Sequence, residues 1–172
     1  MLGRRPDIGF IPTPQAAIDT LLESVNITAS DVIYDLGCGD GRILITAASR
    51  YGASGVGIDI DPARIREATE QAERSGVSDR VEFRHEDLFE STFEEATIVI
   101  LYLLPHLNLK LRPELLRQLQ PGTRIVSVDF DMDDWAPEKI IQLDIVDETT
   151  LYFWHVPSVP FESSSRSENL PC

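Results

Sequence analysis

The sequence predicts an α/β fold: a mostly parallel sheet flanked by helices and closed by a C-terminal antiparallel hairpin. Three observations predict it. Apolar runs of strand length alternate with amphipathic helical stretches along most of the chain, the order that builds parallel strands joined by helical crossovers. One run, residues 32–36, ends in Asp35 and enters a loop carrying Gly37, Gly39 and Gly41 before a helical pattern begins. Near the end, two apolar runs flank an Asp147-Glu148 turn, which reads as a hairpin.

Taken in order, residues 16–25 place Ala17, Ile18, Leu21, Leu22 and Val25 at helical spacing and read as a first helix. Residues 32–36 are a strand and 41–51 a helix. A second strand is expected over 55–60, and Pro62 suits the first turn of a helix that runs to about Ser75 and stops at Gly76. Residues 81–84 form a third strand. The unbroken apolar run 96–101 is a fourth, of the kind buried on both faces. A helix over 108–119 is ended by Pro121-Gly122, and a fifth strand covers 123–129. Residues 140–146 and 151–156 supply the hairpin. One domain is expected over 1–156, and the Ser- and Pro-rich stretch 157–172 is expected to be a disordered tail.

The composition narrows the function classes. A chain of 172 residues with 42% hydrophobic content can bury roughly 70% of its unfolded surface, so it needs no disulfide or metal staple. No run approaches ~18 consecutive apolar residues, so no transmembrane helix is expected, and residues 1–7 show no apolar signal core. Two cysteines, Cys38 in the glycine loop and Cys172 at the end, make neither a disulfide framework nor a zinc site. No metal is expected, and a cytoplasmic location is. The net charge of −14, from 29 acidic against 15 basic residues, repels phosphate backbones and anionic membranes, which disfavours nucleic acid as a partner.

In a parallel sheet of this kind ligands bind at the carboxyl ends of the strands, where the chain order reverses. The glycine loop leaves the first strand at that end. A nicotinamide dinucleotide would need Gly-x-Gly-x-x-Gly, but here Gly37-x-Gly39-x-Gly41 is one residue shorter. Asp35 and Asp40 also bracket the loop, and a pyrophosphate about 4–5 Å from them would be repelled by a few kcal/mol at an effective dielectric near 20. A cationic ligand gains where pyrophosphate loses. Asp59, at the end of the second strand, can accept from two ribose hydroxyls; such charge-assisted bonds contribute about 1.5–3 kcal/mol. Asp87, after the third strand, can accept from an adenine amino group while Ile60 and Leu88 sandwich the ring, with Glu86 as the alternative register. Three acids after three successive strands fit a cationic adenosyl ligand.

These segments resemble a known family. Asp35-Leu36-Gly37-Cys38-Gly39-Asp40-Gly41 resembles motif I of class I S-adenosylmethionine-dependent methyltransferases, Gly57-Ile58-Asp59-Ile60-Asp61 their second motif and Glu86-Asp87-Leu88 their third. The resemblance covers residues 10–156 and implies the Rossmann-like seven-stranded methyltransferase sheet with its last strand antiparallel, and S-adenosylmethionine as cofactor. It implies a cofactor site of Thr13, Asp35, Leu36, Gly37, Gly39, Gly41, Asp59, Ile60, Glu86, Asp87 and Leu88. Ile11-Pro12-Thr13-Pro14, Leu101-Tyr102-Leu103-Leu104-Pro105, Asn108 and residues 121–127 are similar to one branch, small protein-lysine methyltransferases with bacterial and mitochondrial members. That branch implies a lysine amine of a protein as acceptor. Tyr102-Leu103-Leu104-Pro105 departs from the Asn/Asp-Pro-Pro-Tyr motif of enzymes that methylate nucleic-acid or glutamine nitrogens.

Tyr102 and Asn108 are the expected orienting groups at the methyl-transfer end, with no general base assigned. Arg42 reads as a loop brace, Cys38 as a small turn residue, and His85 as packing. Tyr102 is also readable as a packed aromatic, and His106 as a substrate contact. Asp129, Asp131, Asp133 and Asp134 are readable either as a solvated acidic loop or as an attractor for a cationic lysine, and Trp135 as core. Two other functions stay open on the sequence: methylation of a small molecule, and a non-catalytic module that binds S-adenosylmethionine.

Overall fold

The structure, a computed structural model, describes residues 12–144 and 148–160. Seven strands form one sheet in the order β3-β2-β1-β4-β5-β7-β6. These are β1 (Val32–Leu36), β2 (Ser54–Asp59), β3 (Val81–His85), β4 (Ile98–Leu101), β5 (Arg124–Val128), β6 (Lys139–Leu143) and β7 (Thr149–His155). The first five are parallel; β7 runs antiparallel to both β5 and β6. The seven strands and the antiparallel close match the expectation. The chain builds outward from β1 to β3, then crosses back to lay β4 on the other side of β1. The order therefore reverses between β1 and β4, where a doubly wound sheet opens its crevice.

Alternation along β1 divides the molecule into two cores. Ile33 joins Ile18, Leu21, Leu22 and Leu44 of helices α1 (Gln15–Ser24) and α2 (Arg42–Tyr51). Tyr34 and Leu36 join Leu107, Leu111 and Leu115 of helix α4 (Pro105–Gln118). Helix α3 (Pro62–Arg74) lies over β2 and β3. The four side chains of β4 are fully buried, each contributing about 1.5–3 kcal/mol relative to exposure.

Most element ends fall within a residue or two of expectation; the differences include the ends of α4, β4 and β6, and one added element. Helix α4 begins at Pro105 rather than Asn108, because proline suits the first helical position, where its missing N–H leaves no bond unmade. Strand β4 begins at Ile98, since Thr97 turns its hydroxyl to Asp31 and Ala96 closes the preceding turn by donating to Phe93 O. A short 3-10 helix, Leu88–Glu90, was not expected; the Asp87 side chain caps it by accepting from Phe89 N at 3.0 Å. Pro157 to Pro160 have no regular secondary structure. Residues 161–172 of the expected tail, residues 145–147 at the turn, and Ile11 lie outside the described residues.

Candidate functional site

The loop of residues 37–41 turns sharply because its glycines adopt left-handed angles: φ is +90° at Gly37, +55° at Gly39 and +79° at Gly41. Two of them also admit close neighbours. A Cβ on Gly37 would lie 3.2 Å from Leu103 Cδ2, and one on Gly41 only 2.6 Å from the Phe83 ring. Gly41 is thus packed against β3 and α3 rather than turned to the crevice.

Four of the five amides of residues 37–41 donate within the protein. Gly37 N and Cys38 N both donate to Ile58 O, at 2.8 and 3.0 Å, and Gly41 N donates to Cys38 O at 3.0 Å. Gly39 N donates to Asp59 Oδ2 at 2.9 Å. These four N–H groups are thus engaged within the protein itself. An anion-binding loop aims free amides outward; this one spends three of them on β2 and leaves carboxylates at the crevice.

Asp35, at the carboxyl end of β1, is 3% exposed. Its carboxyl is pushed up to about 7, first by burial and then by the charges of Asp59 and Asp40. Asp59 was expected to stand free for a ligand. Instead it already holds the loop through Oδ2 and accepts from Asp61 N through Oδ1 at 2.9 Å. A carboxylate has about four lone-pair positions, so each oxygen retains an acceptor site. Asp61 caps α3 through Ala63 N. Asp40 is held by Arg42, whose Nη2 lies 2.7 Å from Oδ2 and whose Nε donates to both oxygens. Arg42 Nη1 reaches Thr13 O at 3.4 Å, tying the segment before α1 to the loop. Thr13 itself is buried.

After β3, Glu86 accepts from Ser91 Oγ at 2.8 Å and Asp87 caps the 3-10 helix. Ile60 and Leu88 are half-buried. Leu36 is fully buried in the α4-side core and forms no part of the crevice surface, which corrects its expected cofactor contact. The strand tips thus bring together Asp35, Gly39, Asp59 and the 86–88 segment, while Gly41 serves as packing behind them.

On the acceptor side, Tyr102 follows β4 and is half-buried. Asn108 is fully buried, so it cannot touch an acceptor directly as an orienting group. Its Nδ2 donates to Ser127 Oγ, Phe130 O and Asp131 O at 3.1, 3.3 and 3.2 Å. His106 is exposed on the first turn of α4, and His85 is exposed with Nε2 3.0 Å from Ile60 O. The acidic loop after β5 is largely braced. Asp129 exchanges two bonds with Thr150, at 2.7 and 3.0 Å. Asp131 Oδ1 accepts from Asp133 N at 3.1 Å, and Asp134 pairs with Arg112. Trp135 is core: its carbonyl accepts from Trp154 Nε1 at 2.9 Å. Asp129 and Asp133 hold φ of +65° and +56°, each costing roughly 1–2 kcal/mol for a non-glycine residue. Phe130, half-buried at this end of the sheet, was missed by the sequence reading.

A family model described as ANTKMT methyltransferase domain matches residues 35–139. The chain is 40% identical over 140 residues to a protein-lysine N-methyltransferase of Saccharolobus islandicus, covering 81% of this chain and 87% of that one. It is 28% identical to a human lysine N-methyltransferase of the ATP synthase, covering 80% of this chain but only 58% of that protein's length. A crystal structure described as an RNA methyltransferase from Salinibacter ruber in complex with S-adenosyl-L-homocysteine superposes with a TM-score of 0.86 at 50% identity, covering 89% of this chain and 98% of that chain.

Proposed function

The chain belongs to the ANTKMT methyltransferase domain family, and from that premise we propose that this S-adenosylmethionine-dependent methyltransferase acts on the side-chain amine of a lysine in a protein. The observation that carries the cofactor half is the gathering of Asp35, Asp59 and Asp40 about one loop; burial first, and then the charges of Asp59 and Asp40, push the Asp35 carboxyl up to about 7. A cation brought beside them relieves that repulsion. The acceptor half rests on the 40% identity to the archaeal protein-lysine enzyme over most of both chains.

When bound, S-adenosylmethionine supplies a methyl group already activated on a sulfonium. The protein's own work is alignment and exclusion of water. We assign Asp59 to the ribose hydroxyls through its spare lone pairs, Asp35 to the amino group of the methionine moiety, and Ile60 and Leu88 to the adenine faces. Gly39 lets the backbone approach closely, with Gly37 and Gly41 shaping the turn. Glu86, Asp87 and Thr13 frame the two ends. Tyr102 lines the acceptor mouth. A lysine must arrive unprotonated, and a channel of low polarity lowers an amine's pKa, so no side chain is assigned as general base.

The description of the Salinibacter structure favours a second acceptor, RNA. A net charge of −14 opposes it, because RNA binding draws its affinity from Lys and Arg contacts to phosphate. Among the described residues no helix is long and apolar enough to cross a membrane, and we place the enzyme in the cytoplasm, with residues 1–156 as its methyltransferase domain. The test is transfer of labelled methyl from S-adenosylmethionine into cell extract. Label removed by protease and recovered as methyl-lysine supports the proposal; label removed by ribonuclease overturns it in favour of RNA.

A further inference from the structure

We propose that Asn108 is a positioning residue for the acceptor side of the site, acting through the loop of residues 129–135; the inference rests on the lysine-methyltransferase reading above. Three successive carbonyls of this loop, Phe130, Asp131 and Met132, turn toward α4. The Asn108 amide meets the first two, and Arg112 Nη1, one helical turn on, meets the third at 2.8 Å. Carbonyls in an extended strand alternate in direction. Three on one side repel unless donors hold them, and here the donors come from one helix. Left-handed residues, Asp129 and Asp133, bracket the segment, so its shape departs from relaxed backbone on both sides of the clamp.

The choice of asparagine points to this loop. Asn108 lies on the buried stripe of α4 with Leu107, Leu111 and Leu115. An apolar residue there would pack without leaving a polar atom behind. Asparagine instead leaves its Oδ1 buried with no hydrogen-bond partner, a state that is rare and unfavourable in folded proteins. What the side chain gains is the hold on Ser127, Phe130 and Asp131. Ser127 is paired in the sheet with Leu101, the residue before Tyr102. The clamp therefore fixes the end of β5 beside the end of β4, the strands that half-buried Tyr102 and half-buried Phe130 follow.

The test compares wild type with Asn108→Asp, which keeps size but sets an oxygen against the Phe130 and Asp131 carbonyls, and with the milder Ser127→Ala. Each is assayed for S-adenosylhomocysteine affinity by calorimetry, for amide exchange of residues 130–134, and for methyl transfer to a lysine-alanine copolymer. Asn108→Asp is expected to bind S-adenosylhomocysteine as wild type does, to exchange the loop amides faster, and to lose about tenfold or more in kcat/KM for the copolymer, mainly in kcat, as a displaced reacting geometry does. Ser127→Ala is expected to move the same three readouts in the same pattern by a smaller amount, which serves if Asn108→Asp does not fold. Unchanged copolymer kinetics with a loosened loop would overturn the proposal. So would loss of S-adenosylhomocysteine affinity in step with transfer. A wild type that binds S-adenosylhomocysteine but labels RNA and not the copolymer would overturn the lysine reading, and this inference with it.

Discussion

The carboxylate of Asp59 accepts a hydrogen bond from the amide of Gly39, 20 residues earlier, at 2.9 Å. That bond joins the end of β2 to the middle of the glycine loop. It sets the wall of the crevice before any ligand arrives.

Replacing Asp59 should therefore disturb both the loop and the ribose contact. At about 1.5–3 kcal/mol for hydrogen bonds to a charged group, Asp59→Ala is expected to weaken S-adenosylhomocysteine binding roughly tenfold to a hundredfold. Calorimetric titration checks it. Unchanged affinity would remove Asp59 from the site.

Asp35 links the site to pH. Its folded-state carboxyl, at about 7, lies above the ordinary value of 3.8. The native state therefore holds the proton more tightly than the unfolded chain does. This stabilisation is fully present below pH 4 and is lost as pH rises through 7. Asp35→Asn is expected to raise the melting temperature of the ligand-free protein at pH 8 and to have less effect at pH 5. A cationic ligand favours the ionised carboxyl, so binding at pH 6 should release a proton, read as a dependence of calorimetric heat on buffer ionisation enthalpy. No proton release would count against contact with Asp35.

Gly41 and Gly76 separate backbone strain from packing. Both have positive φ, +79° and +71°, but a Cβ on Gly76 meets nothing within 4 Å while one on Gly41 strikes the Phe83 ring. Gly76→Ala is expected to cost roughly 1–2 kcal/mol, the left-handed penalty alone. Gly41→Ala should cost a further ~1–3 kcal/mol for overpacking. Urea unfolding measures both, and equal losses would contradict the packing assigned to Gly41.

Far from the crevice, Arg124 pairs with the largely buried Asp31, which also accepts from Thr97 Oγ1 and Thr28 N. Asp31→Ala strands a half-buried guanidinium and should destabilise by about 2–4 kcal/mol. S-adenosylhomocysteine affinity should be unchanged where the variant is folded. A loss of affinity without loss of stability would show coupling that this geometry does not contain.

The sheet was legible because its signals are local. Residues 32–36 form an apolar run ended by an Asp and a glycine, and all five became β1. Pro62 marked the start of α3 to the residue. The acceptor side was not legible for the opposite reason. Asp129 takes its left-handed angle from partners at Thr150, and the carbonyls of the loop face inward because of donors on α4. The burial of Asn108 did leave a trace: it falls on the helical stripe of Leu107, Leu111 and Leu115. Its polarity suggests an orienting group at the methyl-transfer end, whereas its burial sets it against the loop carbonyls. The sequence predicts Asp59 at the crevice, but its bond to Gly39 depends on an approach that only the folded loop creates.

The most direct measurement is a crystal structure of the protein grown with S-adenosylhomocysteine. Density for the nucleoside is expected between the tips of β1 and β4, its ribose within hydrogen-bond distance of Asp59 and its amino group beside Asp35. Density lying elsewhere, with both carboxylates facing only solvent and their own loop, would contradict the account.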